Sequence, residues 1–166
     1  TDFDEEELAA CTKDEDSASR ALPKHTNLGI HYHAVAGLVS ALSYRDAATA
    51  AHSRRVADLC VRTSDGLMSA KEQYILEIAA LLHDVGKIGT PDSVLLKPDQ
   101  LDEDERDVMS QRLSIAKDIV HNAFENEALQ EIMDHQGIPF AEAGSEAPVP
   151  ARLLTICDAY DSMTST

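Results

Sequence analysis

The chain has 166 residues, 43% hydrophobic and 27% charged, which excludes wholesale disorder and fits one domain able to bury a core. Thirty acidic residues against fourteen basic ones give a net charge of -16, so the surface as a whole repels duplex nucleic acid, phosphorylated ligands and anionic membranes. No apolar run approaches the ~20 residues that span a bilayer, no leader-like segment opens the chain, and Cys11, Cys60 and Cys157 lack paired or CxxC spacing, which predicts no membrane insertion and a reducing cytoplasm.

Eight of the first twenty residues are acidic and few are large and apolar, so residues 1–25 read as a flexible tail or linker before a domain over 26–166. Leu28, Tyr32, Val35, Leu38, Val39 and Leu42 form a helical stripe ending near Arg45. The next helix runs from about Asp46 to Arg62, and Asp65-Gly66 breaks it. Ser69 and Glu72 form a capping box for a helix reaching Leu82. Gly86, Gly89 and Pro91 force a loop, Asp102 with Glu105 opens one helix through about Val120, and Glu125–His135 is a shorter helix. Residues 137–150 form a turn-rich loop, and Pro150 leads into a last helix from Ala151. No segment alternates as a strand does, and the predicted class is all-α. The chain lacks an initiating methionine and stops within a helical stretch, so it reads as a fragment whose regulation lies in missing flanks.

The informative residues interrupt apolar stripes, because a helix face packed on a core should not carry ionisable groups without partners. Thr49, His52, Val56 and Leu59 share a face on the second helix, and Leu76, Ala79, Ala80 and His83 share one on the third. Ala151, Leu154, Asp158 and Asp161 share one on the last, while Asp84 follows His83 at a helix end. Neutral imidazoles and ionised carboxylates suit iron, manganese, nickel, cobalt or zinc. The competing reading is that each is a satisfied core residue. In His83-Asp84-Val85-Gly86-Lys87-Ile88-Gly89 the glycines let the backbone approach a ligand and Lys87 supplies a charge for a phosphate, or the segment is a glycine-terminated helix with a solvated lysine. Arg54 and Arg55 add positive charge beside His52.

His52, the His83-Asp84 pair with Gly86-Lys87, and Asp158 together resemble the HD superfamily of metal-dependent phosphohydrolases. Arg45-Asp46, His52-Ser53-Arg54-Arg55-Val56, the run from Ala79 to Asp92, Leu95-Leu96-Lys97-Pro98 and the stretch from Ala151 to Ser165 resemble its HD-GYP branch, over about residues 40 to 166. The resemblance implies a bundle of about six to seven helices around a metal site, a family domain continuing past the chain's end, and hydrolysis of cyclic di-GMP in bacterial signalling. It implies His52, His83, Asp84 and Asp158 as ligands to one firmly bound divalent ion, iron or manganese ahead of nickel, cobalt, zinc or magnesium. Asp84 would also orient the attacking water and accept its proton, and Lys87 would hold the substrate phosphate.

The departures bear on a second ion. Where relatives carry a ligand histidine three residues after a methionine, Met109 is followed by Arg112. Asp134-His135-Gln136 runs directly into Gly137-Ile138-Pro139, a shortened loop with isoleucine for the family tyrosine, and Ala48 stands where some relatives place a glutamate. His135 or Asp134 would complete a second site with Asp84, and Arg112 would point toward Asp84 and Asp134 as a fixed cation in place of the second ion. Three functions follow: a cyclic-dinucleotide phosphodiesterase, a catalytically degenerate signalling or scaffold module binding nucleotide or protein partners, and a mononuclear nucleotidase or phosphatase. A dimer and a regulatory domain in the flanks fit any of them.

Overall fold

In the computed structural model, which describes residues 29–138, 140–143 and 146–165, short-range signals set most helix boundaries. The acidic segment 1–25 and Leu28 lie outside the described residues. Helix α1 is Tyr32–Arg45 and α2 is Ala47–Ser64, the latter capped by Asp46, whose carboxylate accepts from the Thr49 N–H at 3.0 Å. Gly66, at φ +73°, makes the turn to α3, Ala70–Leu82, whose Ser69–Glu72 capping box forms as read. A 3-10 helix, Val85–Gly89, follows, then α4 (Asp92–Leu95), α5 (Glu103–Ser110) and α6 (Arg112–Ala123). Asn126 caps α7 (Glu127–Asp134), α8 is Phe140–Ala143, and α9 is Val149–Thr164. Seven of these helices have eight residues or more, and no strand occurs among the described residues, so the chain is an all-α bundle.

Four details differ from the sequence reading. The helix expected from Asp102 to Val120 is two, because the Gln111 N–H bonds back three residues to the Val108 carbonyl and tightens the turn there. Residues 137–150 contain the short α8, and α9 begins two residues earlier than read, with Pro150 in its first turn, where a missing N–H costs nothing. Tyr32 leaves the α1 stripe and is 66% exposed, because it opens the helix, while Val35, Val39 and Leu42 are buried.

The core lies where α2, α3, α7 and α9 meet, built from Val56, Leu76, Leu82, Phe124, Leu129 and Leu154. Each such side chain contributes roughly 1.5–3 kcal/mol by leaving water, which lets the bundle tolerate a few buried polar groups. Cys60 and Cys157 are buried free thiols, and burial, reinforced by the neighbouring Cys157, pushes the Cys60 thiol up and keeps it protonated. Among the described residues, no helix is long and apolar enough to cross a membrane.

Helix α6 packs against the 3-10 segment, and the glycines do something other than approach a ligand. A Cβ on Gly86 would overlap the Arg112 carbonyl oxygen and come within 2.7 Å of the Ala116 nitrogen, and one on Gly89 would meet the Ile115 side chain at 2.7 Å. Gly86 thus seats the segment after His83-Asp84 directly on the first turn of α6. That contact brings Arg112 to Asp84.

Candidate metal centre

His83 stands one residue past the end of α3 and Asp84 one further, where the backbone leaves helical geometry, so adjacent side chains converge with Nε2 to Oδ2 at 3.7 Å. His52 comes in from the middle of α2, its ring edge-on to that of His83 with centroids 5.3 Å apart. His52, His83 and Asp84 each offer one ligand atom, and these atoms lie within 4.8 Å of one another. Asp158, on α9, adjoins them, its Oδ1 2.9 Å from His52 Nε2 and 3.8 Å from His83 Nε2. Its side chain is 42% exposed, so it borders the open side of the cluster, whereas its helical position predicts an inward carboxylate.

One atom makes this arrangement look like a metal site. His83 is 2% exposed and its Nδ1 donates to the Ala80 carbonyl at 2.7 Å, which fixes the hydrogen on Nδ1 and leaves a bare Nε2. That Nε2 is buried without a hydrogen-bond partner. An unmet buried acceptor costs about 1–3 kcal/mol, and a cation among two imidazoles and two carboxylates would meet it. The residues present therefore fit a divalent ion.

Asp84 is 6% exposed, with Lys87 Nζ 2.8 Å from its Oδ2 and Arg112 Nε 3.4 Å from its Oδ1. Burial alone would raise its pKa, but the adjacent His83, the charge and hydrogen bond of Lys87 and the charge of Arg112 outweigh burial and hold the carboxyl below its ordinary value. Asp84 is ionised at neutral pH. Lys87 also donates to Thr49 Oγ1 at 3.0 Å, and that hydroxyl donates to Asp46 Oδ2 at 2.6 Å, so the cap of α2 helps hold the lysine. A cleft of about 360 Å³ opens over these groups, lined by Ala48, Thr49, His52, Asp84, Lys87, Arg112, Asp158 and Ser162. Lys87 and Arg112 balance the Asp84 and Asp158 carboxylates there, so the cleft escapes the net negative charge of the chain as a whole.

Asp134 and His135 are not brought to this cluster. Asp134 Oδ1 faces His121 Nε2 at 3.3 Å, and the Asp134 carbonyl accepts from Lys117 at 2.9 Å. His135 Nδ1 donates to the Glu131 carbonyl, and the residue lines an apolar groove of about 390 Å³ with Leu67, Ile138 and Ile156. In the shortened turn it is Gln136 that reaches inward, donating to the His83 carbonyl at 2.7 Å and lining a small cavity with Arg112 and Asp158. Sequence reading missed Gln136 because a glutamine beside a glycine turn carries no metal-ligand signal. Arg54 is exposed, whereas Arg55 pairs with Asp161.

His52 is raised above the ordinary histidine value, chiefly by its hydrogen bond to Asp158, against burial and with help from Asp161. In the metal-free chain a protonated His52 therefore adds stability that is complete below pH ~6.5 and is lost as pH rises through its elevated folded value. A metal must displace the Nε2 proton, so its affinity runs the other way. Manganese titrations at pH 6 and pH 8 are expected to show weaker binding at pH 6, with the metal-free melting temperature falling over the same interval. Equal affinities at both pH values would remove His52 from the ligand set.

The chain's match to known proteins agrees with this geometry. The HD domain model matches residues 49–163. The cyclic di-GMP phosphodiesterase response regulator RpfG of Xanthomonas campestris is 35% identical over 139 residues, covering 77% of this chain and 36% of that protein. A cyclic di-GMP phosphodiesterase of Thermotoga maritima is 34% identical over 134 residues, 74% of this chain and 36% of its own length. The 3'3'-cGAMP-specific phosphodiesterase 2 of Vibrio cholerae is 31% identical over 140 residues, 78% of this chain and 27% of its own. The chain spans about a third of the length of these curated relatives. It belongs to the HD domain family, on its HD-GYP branch.

Proposed function

We propose that the chain is the metal-dependent catalytic portion of a cytoplasmic phosphodiesterase that hydrolyses a cyclic dinucleotide. The observation that carries this reading is the orphaned Nε2 of His83, buried beside His52, Asp84 and Asp158 next to a cleft that carries Lys87 and Arg112. His52 Nε2, His83 Nε2, Asp84 and Asp158 would hold one ion, iron or manganese in preference to nickel, cobalt, zinc or magnesium. Such an ion supplies Lewis-acid polarisation of a phosphoryl oxygen and lowers the pKa of water. Lys87, beside Asp84, binds a non-bridging phosphate oxygen. Asp84, ionised and held by Lys87 and Arg112, orients the attacking water and takes its proton at a carboxylate oxygen. The relatives named as cyclic di-GMP and 3'3'-cGAMP phosphodiesterases support a cyclic dinucleotide as the substrate class.

The test is elemental analysis of the purified chain together with hydrolysis of bis(p-nitrophenyl) phosphate, cyclic di-GMP and 3'3'-cGAMP after loading with manganese or iron. About one ion per chain and turnover of a cyclic dinucleotide are expected. A folded chain that takes up no ion and hydrolyses none of the three substrates overturns the reading.

A weakened, chiefly signalling module is favoured by one specific observation: Arg112, not an imidazole or carboxylate, stands on the α6 side of Asp84, with Asp134 and His135 turned away. A guanidinium contributes fixed charge and cannot activate water. Arg112→His is therefore expected to raise the metal content above one per chain and to increase turnover. An unchanged metal content would show that Arg112 does not take the place of a second ion.

A further inference from the structure

The last helix carries two aspartates one turn apart, and their surroundings are opposite. Asp158 lies at the open edge of the cluster. Asp161 is 4% exposed and its two oxygens are fully engaged. Arg55 Nε donates to Oδ1 at 2.9 Å and Arg55 Nη2 to Oδ2 at 2.8 Å. Ser165 Oγ donates to Oδ1 at 2.9 Å, and His52 Nδ1 lies 2.7 Å from Oδ2. A carboxylate has about four acceptor positions, so Asp161 has none left for a metal. Asp158, whose Oδ1 faces His52 Nε2, has.

We propose that Asp161 is a positioning residue, held by Arg55 and Ser165, that keeps the neutral His52 ring in its Nδ1–H form with a bare Nε2 turned toward His83 and Asp158. Three observations carry this. Both His52 ring nitrogens face acceptor-only carboxylates, and the contact to the buried Asp161, which Arg55 and Ser165 hold in place, is the shorter, 2.7 Å against 2.9 Å to the open Asp158, so the single hydrogen of a neutral His52 goes to Nδ1. The bidentate Arg55 contact fixes the carboxylate plane and with it the ring. The contacts run from the middle of α2 to the last turns of α9, so the ring orientation depends on the packing of two helices that are distant in sequence. The inference deepens the metal-binding reading above and rests on it for its second readout, but not for its first.

The first readout is the nitrogen-15 NMR spectrum of histidine-labelled, metal-free chain at a pH high enough to make His52 neutral, with the signal assigned by its loss in His52→Asn. The unmodified chain is expected to carry the hydrogen on Nδ1, and a hydrogen on Nε2 overturns the proposal without any Asp161 variant. In Asp161→Asn, Arg55 Nε and Ser165 Oγ retain the amide oxygen at the Oδ1 position while the Arg55 Nη2 bond is lost, so the NH2 group faces Nδ1 and forces the hydrogen onto Nε2, the exchange by which an aspartate-to-asparagine change traps a catalytic histidine in the wrong tautomer. Manganese affinity, read by electron paramagnetic resonance of the free ion, should then fall roughly 10–100-fold. A purely structural role would leave the tautomer in place, because asparagine has the shape of aspartate. An Asp161→Asn chain with the hydrogen still on Nδ1, or with affinity within twofold of the unmodified chain, overturns the proposal. An unmodified chain that carries the hydrogen on Nδ1 but has no manganese affinity sinks the metal reading and sustains the assignment of Asp161.

Discussion

His83→Ala should strip the chain of its metal ion and lower diester hydrolysis by roughly 10²–10³-fold or more, while leaving the helices in place. His83 offers only Nε2 to the site, since Nδ1 is committed to the Ala80 carbonyl, so no other atom of the residue can take over. In the metal-free protein the substitution removes an imidazole and opens a cavity, a change of about 2–5 kcal/mol for side chains of this size. It also removes the orphaned Nε2, which recovers about 1–3 kcal/mol, so the net loss of stability is modest. Asp84→Ala should lose the ion equally but behave differently in its absence. It takes the shared counter-charge from Lys87 and Arg112, which are 21% and 32% exposed, so the cost falls between the ~0–1 kcal/mol of a surface pair and the ~3–5 kcal/mol of a broken buried one. Elemental analysis, a chromogenic diester and thermal unfolding of the metal-free variants would separate the two effects. A His83→Ala chain that retains one ion per molecule would show that the imidazole is only a core residue.

Gly86→Ala should lower stability without removing any polar group. The new Cβ would overlap the Arg112 carbonyl oxygen and crowd the Ala116 nitrogen, and both are backbone atoms that cannot rotate away. Overpacking of this kind costs about 1–3 kcal/mol, and each kcal/mol lowers the melting temperature of a chain this long by roughly 2–4 °C. Because α6 must move outward to make room, Arg112 should also withdraw from Asp84, so the loss of stability comes with altered metal uptake. Gly37→Ala is the control. Nothing lies within 4 Å of its added Cβ, in the interior of α1, and it should stabilise by about 0.4–1 kcal/mol. Calorimetric unfolding of the pair tests the contact, and a Gly86→Ala chain as stable as the parent would mean that α6 does not seat on the 3-10 segment.

The helices and the cluster of inward polar residues were legible in the sequence because the signals are short-ranged. Ser69 with Glu72 and Asp102 with Glu105 mark helix starts within one turn, and a 3.6-residue period places His52 and His83 on the faces that carry Val56 and Leu76. The same period puts Asp158 and Asp161 on one side of α9 but cannot tell them apart. Their difference comes from Arg55, more than a hundred residues earlier, which saturates Asp161 and leaves Asp158 open to the cleft. Nor could spacing decide which residue of Asp134-His135-Gln136 turns inward, because the choice follows from where α6 and α7 fix the shortened turn. Sequence leaves the glycine of the Asp84–Lys87 segment either as room for a ligand or as a helix terminator, and it is instead room for the backbone of another helix. Sequence alone determined most of the side chains that face the interior, since that is a property of one helix at a time, and it failed for Tyr32 at a helix end and Asp158 at the edge of the cleft. Which of them meet, and which atoms remain free for a metal, was decided by contacts across 28 to 109 residues of chain, and these exist only once the helices have packed.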